Sequence, residues 1–386
     1  MLNFNFFMPT NIHFGQDKLK ETGKIAKLYG KRAFIVTGKK SARKFGFLQT
    51  LENSLKEEKI EPFFFEKVEP NPSIKTVENG ASLFKEKKCD VIIALGGGSA
   101  LDAGKAIGVL ATNQGPIQNF FGKNKVKNPI PPLIAIPTTS GTGSEVTPYA
   151  VITDVKENNH QKKILSDPHI FPKEALVDPN LTFSLSAEVT SDTGIDALSH
   201  AIESYVSRRS FPLSESIALQ AIEIIGKYLP KLINSPKNAE ARSQLMYASM
   251  LAGIAIAQTG TTLLHAMGYR LTSDLGLPHG RANGVLFPYF WEANFSGNPE
   301  KFSRIIGYLD ESAGESQKKN ASESALLLKE FLYRVGLPRD LNIKTNEETI
   351  VQFAKEVMEN KKKMASNPKI LNMDEVVDIY KKALQC

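Results

Sequence analysis

The sequence has few cysteines and no long apolar run. Its two cysteines, Cys89 and Cys386, show no CxxC spacing, which excludes a disulfide framework and leaves free thiols as the expectation. No stretch of about 18 apolar residues offers a membrane span, and the N-terminal MLNFNFFMPTNIHFG lacks the basic start and the small-residue cleavage site of a signal peptide. We therefore expect a cytoplasmic protein without a membrane partner.

The positive charge is not concentrated in one part of the chain. The formal net charge is +7, but the lysines are spread through helix-like segments such as KLKETGKIAKLYGKR and are mixed with acidic residues. Proteins that bind nucleic acid usually gather basic residues on one face. The charge pattern therefore does not indicate a nucleic-acid partner.

The length of the chain, 386 residues, exceeds what one hydrophobic core usually supports, so two domains are expected. Before residues 180–186, short β-branched runs alternate with amphipathic segments, which predicts βαβ units and a mostly parallel sheet. After them, apolar residues recur at three- and four-residue spacing, which predicts helix almost throughout. We place an α/β domain at 1–184 and an all-helical domain at 185–386.

The individual elements are predicted from apolar runs and their periodicity. The predicted strands are RAFIVTG, PFFFEKV, DVIIALGGG, PLIAIPTT, YAVITD and EALVDP, of which the last few are expected to form a hairpin-like edge. The helical patterns of the second half include IDALSHAIESYVS, SESIALQAIEIIGKYLPKLI, ARSQLMYASMLAGIAIAQ, SALLLKEFLYRVG and EETIVQFAKEVMEN.

A glycine turn follows the strand in DVIIALGGGSALDAGK. Gly96, Gly97, Gly98 and Ser99 stand between an apolar run and a helical pattern. Glycines let the backbone approach a phosphate, and a helix N-terminus offers unpaired N–H groups and a positive dipole end. The spacing is not GxGxxG, so the turn indicates either a pyrophosphate site or a tight strand-to-helix connection.

Two further turns have compositions that suit contact with a nucleotide cofactor. The segment AIPTTSGTGSE places small hydroxyl and glycine residues after another strand, as expected for a cofactor lying across the strand ends of a parallel sheet. The turn after the first strand carries Gly38, Lys39, Lys40, Ser41 and Arg43 and no acid. Basic residues there accommodate a ribose 2′-phosphate, although a solvated lysine-rich turn has the same composition.

An aspartate and three histidines form the second candidate site. Asp196 and His200 are four residues apart, so their side chains share one face of a helix. His265 lies in an apolar helical run, and His279 follows Pro278, where we expect a loop. A single buried histidine is usually structural, but one carboxylate with three imidazoles is a ligand set that suits iron or zinc.

A metal held by these ligands would assist the transfer of a hydride to or from a substrate. A divalent cation polarises an aldehyde oxygen or lowers the pKa of a bound alcohol, so that hydride can be transferred. A nucleotide-binding α/β domain joined to a metal-binding helical domain predicts an active site in the interdomain cleft, with the substrate oxygen facing the nicotinamide.

Six ordered motifs make the chain similar to a known family. They are PTNIHFG, GGGSALDAGK, IPTTSGTGSEVT, KKILSDPHIFPKEALVDP, GIDALSHAIESY and LGLPHGRANG. Along its whole length, the chain resembles the iron-containing, or group III, alcohol dehydrogenases, which include butanol and propanediol dehydrogenases. The resemblance implies a Rossmann-like parallel sheet, a helical second domain, and a homodimer formed through N-terminal strands.

The resemblance also implies roles for individual residues. The resemblance implies that Fe²⁺, or Zn²⁺ as the alternative, is held by Asp196, His200, His265 and His279. Contacts to the cofactor are implied at Asn71, Gly97, Gly98, Ser99, Asp102, Thr138, Thr139, Thr142, Ser144 and Lys162, with Lys163 as the neighbouring alternative to the lysine.

Two positions depart from the family pattern. NAD-preferring members carry an aspartate where this chain has Gly38, followed by Lys39 and Ser41, as in members that use NADP. The resemblance therefore implies NADP(H), with NAD(H) as the alternative. Members with a second histidine four residues after the first have an imidazole near the substrate, and here that position is Tyr269, which serves in proton transfer or only packs.

The resulting prediction is a metal-dependent oxidoreductase that transfers a hydride between NADP(H) and a small primary alcohol or aldehyde. Enzymes of the same fold that resemble glycerol dehydrogenase, maleylacetate reductase or dehydroquinate synthase are the enzymatic alternatives. A nucleotide-binding sensor whose histidines are structural is the non-enzymatic one.

Overall fold

The computed structural model describes residues 2–156, 159–309, 320–339, 343 and 345–384. The chain divides into two compact units. The α/β unit comprises Met8–Thr139 and Gly143–Ser184, and the helical unit comprises Met1–Phe7, Ser140–Thr142 and Leu185–Cys386.

Two short segments therefore fall outside the single division after residue 184 that the sequence suggests. The N-terminal segment packs on the helical unit, because the ring of Phe4 stacks on Phe211 with centroids 4.6 Å apart. The side chain of Gln258 also pairs with the backbone of Phe7, accepting from its N–H at 3.0 Å and donating to its carbonyl at 3.0 Å.

The α/β unit contains a six-stranded and a three-stranded sheet. Its strands are β1 (Asn11–Phe14), β2 (Arg32–Gly38), β3 (Glu61–Val68), β4 (Val91–Gly96), β5 (Gly122–Lys123), β6 (Leu133–Pro137), β7 (Tyr149–Lys156), β8 (Asn159–Ser166) and β9 (Glu174–Val177). The larger sheet is parallel throughout and has the order β1-β9-β6-β4-β2-β3, while the smaller has the order β5-β8-β7. The predicted parallel sheet is thus confirmed.

Both faces of the large sheet are covered by helices. The helices of this unit are α1 (Thr22–Ala26), α2 (Ser41–Lys44), α3 (Phe47–Glu57), α4 (Ile74–Glu86) and α5 (Gly98–Thr112). Alternate residues of β2 enter different cores: Phe34 packs with α4 and α5, whereas Ile35 packs with α3. Burial on both faces explains why the central strands are apolar without interruption.

The edges of the sheets differ from the sequence prediction. The EALV run forms β9, which lies inside the large sheet between β1 and β6, so its assignment to a hairpin-like edge was wrong. The hairpin instead joins β7 to β8, which pair antiparallel. Neither β1 (NIHF) nor β8 (NHQKKILS) was predicted. The alternation in β1 extends over only four residues, and β8 is mostly polar, so both are recognisable mainly by their pairing with a neighbour.

The helical unit confirms the prediction that the second half of the chain is almost entirely helical. Its helices are α6 (Ala187–Val206), α7 (Pro212–Asn234), α8 (Ala239–Thr259), α9 (Leu263–Ser273), α10 (His279–Asn294), α11 (Pro299–Leu309), α12 (Ala321–Arg334), α13 (Glu347–Glu359), α14 (Lys361–Ser366) and α15 (Met373–Leu384). One continuous apolar core connects them, and α6 is buried along most of its length. Within the described ranges, no single helix is long and apolar enough to cross a membrane; α8 and α9 pass that test only as a pair bent by 113°.

Candidate functional site

Three predicted ligands converge in the helical unit. Oδ1 of Asp196 lies 3.7 Å from Nε2 of His265 and 3.8 Å from Nε2 of His279. Among the described residues, one ligand atom from each of these three side chains lies within 4.8 Å of the other two. Side chains from α6, α9 and α10 therefore meet at one point, which we call the ligand cluster.

Close helix packing produces this convergence. A Cβ atom on Gly280 would lie 1.7 Å from the carbonyl oxygen of Asp192, so only glycine lets the start of α10 approach α6 so closely. Arg281 then ties the two helices together, donating from Nε to Oδ1 and from Nη2 to Oδ2 of Asp192, both at 3.0 Å. The expectation that His279 lies in a loop was wrong: it is the first residue of α10, after the helix start marked by Pro278.

His200, the fourth predicted ligand, lies beside the cluster. Its ring stacks on His265 with centroids 4.4 Å apart, and its Nδ1 donates to the carbonyl oxygen of Gly141 at 3.2 Å. That bond assigns the proton to Nδ1 and leaves Nε2 as the free nitrogen.

The electrostatics of the cluster suit a cation. Burial would raise the pKa of Asp196, but the imidazoles of His200, His279 and His265 hold that pKa well below its usual range. Burial lowers the pKa of His200 to about 4, so this imidazole is neutral near pH 7. At His265, burial lowers the pKa, but Glu203 and Asp196 outweigh it and raise that pKa. One carboxylate with three imidazoles is a donor set that iron and zinc accept, so these residues fit the metal that the sequence predicts.

Glu203 is a participant that the sequence reasoning missed. It is fully buried on α6, and its Oε2 accepts a hydrogen bond from Nδ1 of His265. Its Oε1 accepts from the backbone N–H and the hydroxyl of Thr262, both at 2.7 Å. The bond to Nδ1 directs the Nε2 lone pair of His265 toward Asp196, as an outer carboxylate does for a ligating histidine.

The spacing of Glu203 in the sequence could have indicated its place beside the ligands. Glu203 follows His200 by three residues and Asp196 by seven, so all three share a helix face. A carboxylate on an otherwise apolar face needs a partner, which the sequence could not identify.

Tyr269 borders the cluster on α9. Its ring stacks on that of His279, with centroids 5.4 Å apart and planes inclined by 16°. The side chains of Tyr269 and His279 are both partly exposed, whereas Asp196 and His265 are buried. The cluster thus has one buried side and one side open to solvent.

In the α/β unit, the predicted turns lie at a reversal of strand order. The chain runs from β2 to β3 on one side and, after crossing to β4, continues to β6 on the other. Ligands of such sheets bind at the carboxyl ends of the strands that flank this reversal. Gly38 ends β2, and Gly97 and Gly98 follow β4 at the start of α5, so both turns lie there.

The residues around the start of α5 are held together by hydrogen bonds. The backbone N–H of Asn71, which has a left-handed φ of 56°, donates to Oγ of Ser99 at 3.3 Å. Thr138 donates its N–H to the carbonyl oxygen of Gly96 at 2.9 Å. A Cβ on Gly97 would come within 3.4 Å of the Thr139 side chain, so the two turns lie side by side.

Asp102 connects α5 to the loop that holds Ser144. Its Oδ1 accepts from Oγ of Ser144 at 2.7 Å, and its Oδ2 accepts from the N–H of Val151 at 2.9 Å. Burial raises its pKa, and the charges of Lys105 and Lys162 oppose that rise. The charge of Lys162 thus acts on Asp102, whereas the alternation of a strand places Lys163 on the opposite face from Lys162. Thr142 lies in the segment assigned to the helical unit.

Lys105 is a second residue that the sequence reasoning missed. It is fully buried, and its Nζ donates to Oγ of Ser144 at 2.8 Å and to the carbonyl oxygens of Thr147 and Tyr149 at 2.9 and 2.7 Å. Burial lowers its pKa to about 8. Three bonds from one ammonium fix the course of the loop that follows β6.

The basic turn after β2 is only partly available to a ligand. Arg43 donates from Nε and Nη2 to the two carboxylate oxygens of Glu66, at 2.9 and 2.5 Å. Lys39 and Ser41 are exposed on either side of Lys40. A Cβ on Gly38 would meet nothing closer than the carbonyl oxygen of Val68 at 3.7 Å, so the turn has space for a side chain that the sequence does not supply.

Comparison with known proteins is consistent along the whole chain. Residues 9–179 match the model of a family described as iron-containing alcohol dehydrogenase, and residues 190–384 match that of the C-terminal part of the Fe-containing alcohol dehydrogenase family. The chain is 35% identical to an NAD-dependent methanol dehydrogenase of Bacillus methanolicus, covering 98% of this chain and 100% of that protein.

Two further similarities agree with it. The chain is 35% identical to an NADPH-dependent butanol dehydrogenase of Clostridium saccharobutylicum, over 97% of this chain and 96% of that protein. The solved structure of an alcohol dehydrogenase from Oenococcus oeni superimposes with a TM-score of 0.93 at 33% identity, covering 99% of this chain and 100% of that one.

Proposed function

The chain belongs to the iron-containing alcohol dehydrogenase family of oxidoreductases, and on this premise we propose that it transfers a hydride between NADP(H) and a small primary alcohol or aldehyde. The observation that carries the proposal is the convergence of Asp196, His265 and His279 from three helices. We include His200 as the fourth ligand, because its free nitrogen lies on the ring stacked against His265.

Bound to these side chains, Fe²⁺ or, as the alternative, Zn²⁺ would supply Lewis acidity toward the substrate oxygen. The protein's own residues prepare the site. Glu203 fixes the tautomer of His265, Gly141 fixes that of His200, and Arg281 holds the helix that carries His279. The stacking of Tyr269 on His279 favours a role in orienting that imidazole over a role in proton transfer.

The cofactor is proposed to lie across the ends of β2 and β4. The N-terminus of α5 would receive the pyrophosphate, with Gly97, Gly98 and Ser99 offering N–H groups. Contacts with α5 or with the turn before it support roles for Asn71, Thr138, Thr139 and Ser144. Asp102, Lys162 and Thr142 complete the proposed set. Arg43 is paired with Glu66, and the exposed Lys39 and Ser41 are the residues of this turn that we assign to a 2′-phosphate.

Replacing Gly38 by aspartate tests the preference for NADP(H). The turn has space for the side chain, and its carboxylate would repel a 2′-phosphate while accepting hydrogen bonds from a ribose hydroxyl. We expect the ratio of kcat/KM for NADPH to that for NADH to fall at least about tenfold. Such a fall corresponds to a change of about 1.4 kcal/mol in the relative binding free energy of the two cofactors. An unchanged ratio would contradict the assignment of the turn.

The activity itself is tested with protein loaded anaerobically with Fe²⁺ and supplied with NADPH and a short aldehyde. Consumption of NADPH is expected, and its absence with every aldehyde and alcohol offered would remove the support for an enzyme. The variants His265→Ala and His279→Ala should lose metal, measured by elemental analysis, while NADPH affinity is retained. Equal loss of both would argue against separate sites for metal and cofactor.

The predicted homodimer would use β1. This strand lies at an edge of the large sheet, next to β9, where an unpaired edge can accept another chain. Light scattering of the purified protein checks it, since a monomeric mass would contradict the prediction.

A further inference from the structure

The open side of the ligand cluster carries a positive charge that the reaction described above does not use. Four partly exposed side chains line this side, and they come from α9, the turn before it, the start of α10, and α14: Thr261, Tyr269, His279 and Lys363. Because Asp196 and His265 are buried, a substrate bound at the cluster would lie against these partly exposed side chains. The chemistry that they present therefore bears on which substrates bind.

Lys363 has more hydrogen-bonding capacity than the protein uses. Its Nζ donates to Oγ1 of Thr261 at 2.7 Å and lies 4.9 Å from the ring centroid of Tyr269. In the described part of the chain, this ammonium forms no ion pair within 4 Å, and Glu203 acts on it only through its charge. An ammonium has three donors, so two of them are left for a ligand or for water.

Its distance from the cluster suits a short substrate. Nζ is 4.9 Å from the Tyr269 centroid, which is 5.4 Å from that of His279, so the ammonium and this imidazole are separated by about 10 Å at most. A molecule with a few carbon atoms can therefore present one end to the cluster and the other to Lys363.

The cluster keeps one positive charge in excess when the charges of its buried carboxylates, a divalent cation and Lys363 are added. Two buried carboxylates, Asp196 and Glu203, equal the charge of one divalent cation. The oxygens of Glu203 accept hydrogen bonds from Thr262 and His265, so Glu203 acts on Lys363 through its charge and not through a hydrogen bond. Burial lowers the pKa of Lys363 to about 8, which leaves it mainly charged at pH 7. One surplus positive charge matches a monoanion better than a phosphate dianion.

We propose that Lys363 binds substrate, and that it selects an alcohol or aldehyde whose far end carries a monoanionic group such as a carboxylate. The inference rests on the proposed function, because the ligand cluster defines where the reacting oxygen lies. A hydrogen bond between an ammonium and a carboxylate at a partly buried site is stronger than one between neutral groups, so the charge should appear in substrate affinity.

The experiment compares two aldehydes of nearly equal size in the Fe²⁺-loaded enzyme at pH 7. One is 4-oxobutanoate, which carries a carboxylate, and the other is its neutral amide, 4-oxobutanamide; butanal reports the basal activity. In the unsubstituted protein, KM for the acid should be at least about tenfold lower than KM for the amide, with similar kcat. Binding of the reduction products, 4-hydroxybutanoate and 4-hydroxybutanamide, measured by calorimetry, should differ in the same direction.

Three variants locate the effect. Lys363→Met keeps the length of the side chain and should raise KM for the acid alone, whereas Lys363→Arg should retain the preference. The matched control is Lys362→Met, which removes an exposed charge from the same helix and should change nothing.

The outcomes separate the two levels of inference. Reduction of butanal with equal affinity for acid and amide would overturn the role of Lys363 and leave the proposed function intact. A preference that persists in Lys363→Met would overturn it too, by showing that the anion binds elsewhere, and an equal loss with both aldehydes would also contradict it. If butanal, acid and amide are all left unreduced by metal-loaded protein, the proposed function itself fails.

Discussion

Replacing Glu203 by glutamine should weaken metal binding without removing a ligand. The carboxylate now accepts from Nδ1 of His265 on one oxygen and from the N–H and hydroxyl of Thr262 on the other. A glutamine amide can supply only one acceptor oxygen. If its NH₂ faces Nδ1, it imposes the wrong tautomer on His265. If its NH₂ faces Thr262 instead, it meets the buried N–H of Thr262, so that two donors face each other without an acceptor.

The size of the effect follows from these two arrangements. A buried donor without an acceptor costs about 1–3 kcal/mol. Loss of the outer partner of a ligating histidine typically reduces metal affinity about 10- to 100-fold, and tenfold corresponds to about 1.4 kcal/mol, so the two scales agree. We therefore expect the dissociation constant for the metal to rise by that factor in Glu203→Gln.

The assay titrates metal-free protein with Zn²⁺ in competition with a chromophoric chelator. The matched control is Glu174→Gln, because Glu174 is also buried and also accepts from a histidine, His13, at 2.8 Å, but lies in the α/β unit. The control should bind Zn²⁺ like the unsubstituted protein. If Glu203→Gln also binds within twofold of that value, while remaining folded by circular dichroism, the role assigned to Glu203 is refuted.

The remaining predictions concern packing and the cofactor loop. Gly280→Ala would place a Cβ 1.7 Å from the carbonyl oxygen of Asp192 and should cost more than about 3 kcal/mol in urea unfolding, whereas Gly307→Ala, with open space around its Cβ, should be neutral or stabilising; equal stabilities would contradict the close approach of α10 to α6. Lys105→Met releases three loop oxygens and should raise the NADPH dissociation constant about tenfold by fluorescence titration, with Zn²⁺ affinity unchanged. Because burial lowers the pKa of Lys105 from 10.5 to about 8, the unfolded chain binds this proton more tightly, so the unfolding free energy should rise relative to Lys105→Met as the pH increases through that window; a constant difference would contradict the shift.

The sequence predicted the fold where burial dictates composition. The strands β2, β4 and β6 are covered on both faces, so each contains an uninterrupted apolar run that is visible in the sequence. The strand β8 contains Gln161, Lys162 and Lys163, and its pairing with β7 and β5 makes it a strand. Long-range pairing of this kind leaves no local pattern, and for the same reason EALV was assigned to an edge although it is an interior strand.

The site shows the same division between local and long-range information. Asp196 and His200 were recognisable because four-residue spacing places them on one face of α6. Their neighbours His265 and His279 could be nominated by residue type only, and the PHG sequence suggested a loop although α10 begins there. What brings these three elements together is the absence of side chains at Gly268 and Gly280, since a Cβ on Gly268 would lie 2.1 Å from Oδ1 of Asn283.

Charge is where the sequence alone was least informative. In the run KKKM, Lys361, Lys362 and Lys363 look equivalent, and a run of lysines usually indicates a solvated surface. The structure exposes the first two and turns the third toward Thr261 and Tyr269, near the ligand cluster. A lysine in this place acts on the substrate through an interaction that depends on distance and burial, neither of which has a signature in the sequence. Substrate choice in this chain is therefore expected to respond to Lys363 and to be insensitive to its neighbours, although all three carry the same charge.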